Sequence, residues 1–119
     1  MTRTSGTRIA AGTRQRDQYA LLYSALGDPV RLQLLERLGA GGPASIAALT
    51  AGTRITRQAV SKHLRTLEAV GLVCSSHRGR ECLWIPLPER LRDAQAHMTR
   101  ISAHWDRALE RLRLQVEAR

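Results

Sequence analysis

One short segment of the chain carries side chains whose types and spacing suit the binding of a nucleic acid. Its polar members, which recur at helical spacing, are Arg57, Gln58, Ser61, Lys62 and Arg65. Arginine forms two-point hydrogen bonds with guanine, glutamine does so with adenine, and serine can serve either base. Arginine and lysine also neutralise phosphates. We therefore predict that these residues contact the major groove of duplex DNA.

The same segment has an apolar side on which a helix can pack. Val60, Leu64 and Leu67 recur at steps of three and four, which predicts a helix over about 57–70. Thr56 is a suitable N-cap for that helix and also a candidate DNA contact. His63 is a further candidate, and two interpretations of it stay open: contact with a phosphate, or packing at the helix edge.

The distribution of charge around this helix favours a polyanionic partner. The chain has 19 basic and 10 acidic residues, a net charge of +9, and every basic residue except Lys62 is arginine. No acidic residue occurs between Glu36 and Glu68, whereas Arg37 and Arg54 add to the basic residues of that stretch. A merely solvated helix face usually includes acidic residues, so their absence indicates an approach to phosphate.

The remaining sequence predicts the elements that position this helix. Residues 1–13 lack periodicity and are expected to form a disordered basic arm, followed by one domain over 14–117. Helices are predicted over 14–26, from Asp28-Pro29 to a glycine-rich break at 39–43, over 45–49, over 57–70 and over 89–117, with a hairpin over 72–86. This order, α-α-α-α-β-β-α, predicts a mostly helical α+β fold, the winged helix-turn-helix.

The predicted hairpin would act as the wing. Arg78 and Arg80 flank Gly79 at its tip, from which they can reach backbone phosphates or the minor groove. Cys74 and Cys82 fall on opposite strands, which raises the hypothesis of a redox switch. The alternative is that both are ordinary small apolar residues.

The last predicted helix carries a narrow apolar row suited to a partner helix. The row, with alternating steps of three and four, contains Leu91, Met98, Ile101, Trp105 and Leu112. Such a row is typical of helix pairing rather than of a helix lying on a bilayer. We therefore predict a dimer interface along this helix.

Three stretches resemble the ArsR/SmtB-type repressors: ALGDPVRLQLLERL (25–38), ITRQAVSKHLRTLEAVGLV (55–73) and RGRECLW (78–84). The resemblance covers roughly residues 20–114. It implies a homodimer, joined through the first and last helices, that binds an inverted-repeat operator and represses transcription until a signal relieves it.

The metal sites of that family are not matched here. The third predicted helix, Ala44–Leu49, has no cysteine, and the last helix offers only Asp93, His97 and His104, with Arg107 where a further ligand is expected. The sequence therefore predicts a branch without the metal site and without a cofactor. It leaves open whether a small molecule or a redox signal acts as inducer.

Other classes of protein are disfavoured. A run of about 18 apolar residues and an apolar leader are both missing, so we expect a cytoplasmic protein without membrane contact. There is no glycine-rich phosphate loop, nucleophile elbow or pair of catalytic carboxylates, so an enzyme is not expected. The alternatives are a protein-interaction module and a nonspecific DNA-binding protein with this fold.

Overall fold

Five helices and one β-hairpin make up the described part of the chain. A computed structural model describes the backbone of residues 2–118 and the side chains of residues 12–118. The elements are α1 (Thr2–Leu26), α2 (Pro29–Gly41), α3 (Ile46–Thr50), α4 (Arg57–Ala69), β1 (Val73–Arg78), β2 (Glu81–Pro86) and α5 (Pro88–Glu117). The prediction of a mostly helical winged helix-turn-helix in this order is confirmed.

Three of the helices begin at polar side chains that satisfy their first backbone N–H groups. Asp28, Ser45 and Thr56 precede α2, α3 and α4, and their side-chain oxygens accept hydrogen bonds of 3.0–3.1 Å from the first turn. Such caps compensate for N–H groups that have no partner within the helix. The three predicted helix starts are thereby confirmed.

The first helix is longer than the sequence predicts. It begins at Thr2 rather than near residue 14, so the backbone of residues 2–13 is helical where a disordered arm was expected. The stretch contains no proline, and Arg3, Arg8, Ala10 and Ala11 are good helix formers, which allows α1 to continue towards the N-terminus. The side chains of residues 1–11 lie outside the described part of the chain.

A core of aliphatic side chains fixes the rotation of α4. Val60, Leu64 and Leu67 are fully buried. They pack in one cluster with other buried residues, which include Leu22, Leu34, Leu38, Leu49, Leu72, Val73 and Trp84. Burial of each such side chain contributes about 1.5–3 kcal/mol. Because this burial sets which side of α4 faces inward, it also sets which side chains face solvent.

The hairpin is a two-stranded antiparallel sheet attached to the helical body. Its register runs from Val73 opposite Pro86 to Arg78 opposite Glu81, which leaves a two-residue turn. Gly79 takes a φ of 64° there, the left-handed conformation that a type II′ turn requires of its first central residue. The hairpin prediction is confirmed.

The strand β2 is joined to the segment before α3 by a short bridge. Backbone hydrogen bonds connect Ala44 and Trp84 in both directions, at 3.0 Å and 2.8 Å. The Trp84 side chain is only 6% exposed. The wing is therefore held against the helix-turn-helix by main-chain pairing as well as by a buried ring.

The last helix extends beyond the body that it leaves. Ala94 in its second turn is packed in the core, whereas no residue of α5 beyond Ala94 is buried in the described chain. The long axis of the molecule measures 67 Å against 44 Å and 20 Å for the others. A helix with so little cover from its own chain presents its apolar side to solvent.

Candidate nucleic-acid interface

The predicted DNA-contacting residues of α4 lie together on its outer side. Arg57, Gln58, Ser61, Lys62 and Arg65 line one open depression of about 600 Å³ with Ile46 of α3; we call these five residues the α4 face. All are exposed except Ser61, which is half-buried. The structure therefore assembles in one place the side chains that the sequence predicts to contact bases.

The cations of the α4 face are free to meet an anion. Within the described chain, Arg57, Lys62 and Arg65 make no ion pair and no side-chain hydrogen bond. Arg54, in the loop before α4, is exposed as well. Since a neighbouring carboxylate would compete with phosphate, this surface has the electrostatic character that DNA binding requires.

Thr56 has a structural role that its exposed position does not reveal. Its hydroxyl oxygen accepts a hydrogen bond of 3.1 Å from the backbone N–H of Ala59. The hydroxyl hydrogen is not used in that bond, so the group can still donate to a phosphate. Its DNA contact stays a prediction.

His63 lies on the side of α4 that meets the start of α2. Its Nδ1 atom is 3.9 Å from Asp28 Oδ2 and 3.4 Å from Arg31 Nη1. Arg31 in turn donates to the carbonyl oxygens of Ala25 and Ser24 at the end of α1. Of the two interpretations that the sequence leaves open, these contacts favour packing at the helix edge.

Arg37 has a structural role at the end of α3 that the sequence analysis did not predict. Its guanidinium donates to the carbonyl oxygens of Leu49 and Ala51, at 2.9 Å and 3.3 Å, where α3 ends and the loop to α4 begins. Carbonyl groups at a helix end otherwise lack partners. Arg37 therefore fixes the turn between α3 and α4, and no local sequence signal identifies that role.

The wing carries its two predicted arginines on the surface. Arg78 ends β1 opposite Glu81, and Arg80 occupies the turn itself. Both arginines are exposed.

The proposed redox pair is not formed by this hairpin. Cys74 is opposite Ile85 and Cys82 is opposite His77, so the two cysteines are three pairs apart and on opposite faces of the sheet. Both are free thiols. Because bridged cysteines need Cα atoms within about 7 Å, the hypothesis that they approach each other is wrong.

The residues considered for metal binding on α5 are also separate in the described chain. Asp93 forms an ion pair of 3.0 Å with Arg90, while His97 contacts Tyr19 and Tyr23 of α1. His104 is exposed. Among the described residues of one chain, no three His, Cys, Asp or Glu side chains cluster in a way that suits a metal ion.

The apolar row predicted along α5 faces solvent. Exposure ranges from 43% for Leu91 to 71% for Trp105, with Met98 and Leu112 between them, and Ile101 is half-buried. Leu109 and Val116 continue the row and were not predicted.

No helix in the described residues is long and apolar enough to cross a membrane.

Comparison with known proteins places this architecture among transcription factors. Residues 26–74 match the family model described as "Helix-turn-helix domain". The HTH-type transcriptional regulator Rv2034 of Mycobacterium tuberculosis is 34% identical over 87 residues, covering 73% of this chain and 78% of the relative. The uncharacterized HTH-type regulator YuzN of Bacillus subtilis is 37% identical over 65 residues, or 50% and 71% of the two chains.

Solved structures share the fold over most of the chain. An ArsR-like transcriptional regulator from Rhodococcus sp. RHA1 superposes with a TM-score of 0.74 at 35% identity, covering 82% of this chain and 92% of that one. A homodimeric winged helix-turn-helix DNA-binding domain from Mycobacterium bovis, a possible ArsR-family regulator, gives a TM-score of 0.61 at 26% identity, covering 83% and 88%.

Proposed function

Because the chain belongs to the ArsR-like family of helix-turn-helix transcriptional regulators, we propose that it is a homodimeric repressor of an inverted-repeat operator. The α4 face carries this proposal, since its unpaired cations surround the amide of Gln58 on one exposed side of a firmly packed helix. When two such helices enter successive major grooves, the protein occupies DNA that RNA polymerase needs.

Each polar residue of the interface has a proposed contact. Gln58 reads adenine, and Arg57 and Arg65 bind guanine or a phosphate, depending on the depth to which α4 enters the groove. Ser61 contacts a base edge, and Lys62 binds a phosphate as a point charge. Contacts to the backbone come from Thr56, Arg78 and Arg80.

The partner that covers α5 is proposed to be a second copy of the chain. Leu91, Met98, Ile101, Trp105 and Leu112 form a largely exposed apolar row with the spacing of paired helices, as expected of an interaction surface. The homodimeric relative from Mycobacterium bovis supports this choice of partner. A two-fold dimer accounts for the inverted repeat, because it presents two α4 helices related by the same symmetry.

The experiment that tests this function is selection of bound fragments from a random duplex library at about 150 mM salt, a concentration at which nonspecific binding is weak. We expect an enriched inverted repeat with half-sites about one helical turn apart. Run-off transcription from a promoter that contains the repeat should then decrease as protein is added; an increase would indicate an activator.

Two other outcomes would replace this proposal. Recovery of DNA without an enriched motif would indicate a nonspecific binder, and recovery of no DNA would indicate a protein-interaction module. The matched relatives are transcriptional regulators, and we propose no enzymatic activity. A regulator of bacterial promoters acts where the chromosome is, so we place the protein in the cytoplasm.

A further inference from the structure

A second depression lies between α1 and α5, away from the residues assigned to DNA. Its volume is about 250 Å³, and the described residues that line it are Gly12, Gln15, Arg16, Tyr19, His97 and Arg100. None of them belongs to α3, α4 or the hairpin. The depression therefore needs an explanation other than the contacts of the α4 face.

Arg16 and Arg100 both line this depression, and its described lining residues include no carboxylate. Arg16 on α1 and Arg100 on α5 are exposed, and neither makes an ion pair or a side-chain hydrogen bond with the described residues. Asp93, one turn before His97 on α5, is held by Arg90 at 3.0 Å. Two like charges from different helices are unfavourable together unless an anion joins them.

The imidazole beside these arginines is held in a fixed orientation. The His97 ring stacks on Tyr19 with a centroid distance of 3.9 Å and an interplanar angle of 4°, and its Nδ1 atom contacts the Tyr23 hydroxyl. Burial raises the pKa of Tyr23 above 10.0; Tyr19 raises it further and Arg100 opposes the shift. The phenol therefore stays protonated at neutral pH, and its contact with Nδ1 leaves Nε2 as the ring nitrogen available to a ligand.

We propose that this depression binds a small oxyanion, a carboxylate or a phosphate, between Arg16, Arg100 and His97. Planar guanidinium groups bind such oxygens in two-point geometry, and Gln15 supplies an amide for a further hydrogen bond. The site lies between α1 and α5. Any consequence for operator binding rests on the proposed homodimer, whereas anion binding itself does not.

Calorimetric titration of the full chain with sodium phosphate, sodium acetate and sodium benzoate, at constant ionic strength against sodium chloride, tests this site. We expect saturable binding of at least one of these anions, with one anion per chain. Loss of a charged two-point contact in Arg16→Gln or Arg100→Gln should weaken binding about tenfold or more. Arg92→Gln, which removes an exposed arginine of α5 outside the depression, should change it less than about twofold.

Side-chain NMR locates the site within the same samples. The Nε–Hε signals of Arg16 and Arg100 should shift on addition of the anion that binds, while that of Arg92 should not. If phosphate binds and the carboxylates do not, the natural ligand is a phosphate compound. If a carboxylate binds and phosphate does not, the natural ligand is a carboxylate. Absence of saturable binding with all three probes would overturn the proposal, as would equal affinity in the three variants.

Two further results would assign the arginines to macromolecular contacts instead. Weaker dimerisation of Arg16→Gln or Arg100→Gln, measured without anion, would indicate that they pair with carboxylates of the second copy. Weaker binding to duplex DNA without anion would indicate backbone contacts. Because DNA binding by the unliganded wild-type chain is measured separately, failure of the anion site is distinguishable from failure of the repressor function.

Discussion

The Oδ2 atom of Asp28 lies 3.9 Å from Nδ1 of His63 and also accepts hydrogen bonds from the backbone N–H groups of Val30 and Arg31. One carboxylate thus caps α2 and faces α4, the helix that carries the residues proposed to contact DNA. Its ionisation is linked to the packing of α2 against α4.

The acid stability of the fold should depend on Asp28. The backbone N–H of Arg31 is the main cause that lowers the pKa of this carboxyl below its ordinary value of 3.8, with the charges of Arg31 and His63 adding to it. A carboxyl with a lowered folded pKa contributes stability that is complete above 3.8 and is lost as pH falls through the folded value. Urea midpoints measured between about pH 5 and pH 2 should therefore fall less steeply in Asp28→Asn than in wild type.

Asparagine is the matched replacement at this position, because it caps a helix well and does not titrate. The same pH dependence in both proteins would contradict the role given to the Asp28 carboxylate.

The hydroxyl of Thr56 should stabilise the start of α4 independently of any DNA contact. Thr56→Ala removes the acceptor of the Ala59 N–H and should lower the free energy of unfolding by about 1 kcal/mol. Thr56→Ser keeps the oxygen and should lie close to wild type. Urea unfolding measures all three proteins, and equal stability of the alanine and serine variants would refute the capping role.

The fold and the α4 face could be predicted because their signals are local. The steps of three and four in Val60, Leu64 and Leu67 determine the inner side of α4, and therefore its outer side. Thr56 marks its start by residue type alone, and Gly79 similarly marks the hairpin turn.

The remaining features depend on contacts between distant positions, which periodicity does not encode. Tyr23 and His97 are 74 positions apart, so their contact could not be predicted from local sequence. The separation of Cys74 from Cys82 depends on hairpin register, which a strand prediction leaves undetermined. The early start of α1 was missed because a segment of Thr, Gly and Arg has no apolar periodicity, although nothing in it stops a helix.

The turn of the wing should contribute to DNA affinity without contributing to sequence preference. If Arg80 binds a phosphate, Arg80→Gln should weaken binding to all duplexes alike and reduce the slope of log K against log salt by about 0.9. Fluorescence anisotropy over a range of salt concentrations measures both quantities, and Arg92→Gln serves as the control of equal charge change. An unchanged slope in Arg80→Gln would place the wing away from DNA.

Two neighbouring leucines of α5 provide a sharp test of the dimer interface. Leu112 lies on the exposed apolar row and Leu114 on the opposite side of the helix, and their exposures are similar at 55% and 53%. We expect Leu112→Glu to shift the protein towards monomer, because a buried unpaired charge is costly, whereas Leu114→Glu should remain dimeric. Sedimentation equilibrium distinguishes the two, and a dimer in both variants would exclude this row as the interface.

The most direct test of whether α4 reads bases is to repeat the random-duplex selection with Gln58→Ala beside the wild-type protein. Gln33→Ala, which removes an exposed glutamine of α2, is the matched control. We expect Gln58→Ala to lose preference at one base position in each half-site, to keep the rest of the motif, and to bind the wild-type operator about 1–3 kcal/mol more weakly. The same motif and the same affinity in Gln58→Ala and wild type would contradict the proposal that α4 reads bases through Gln58.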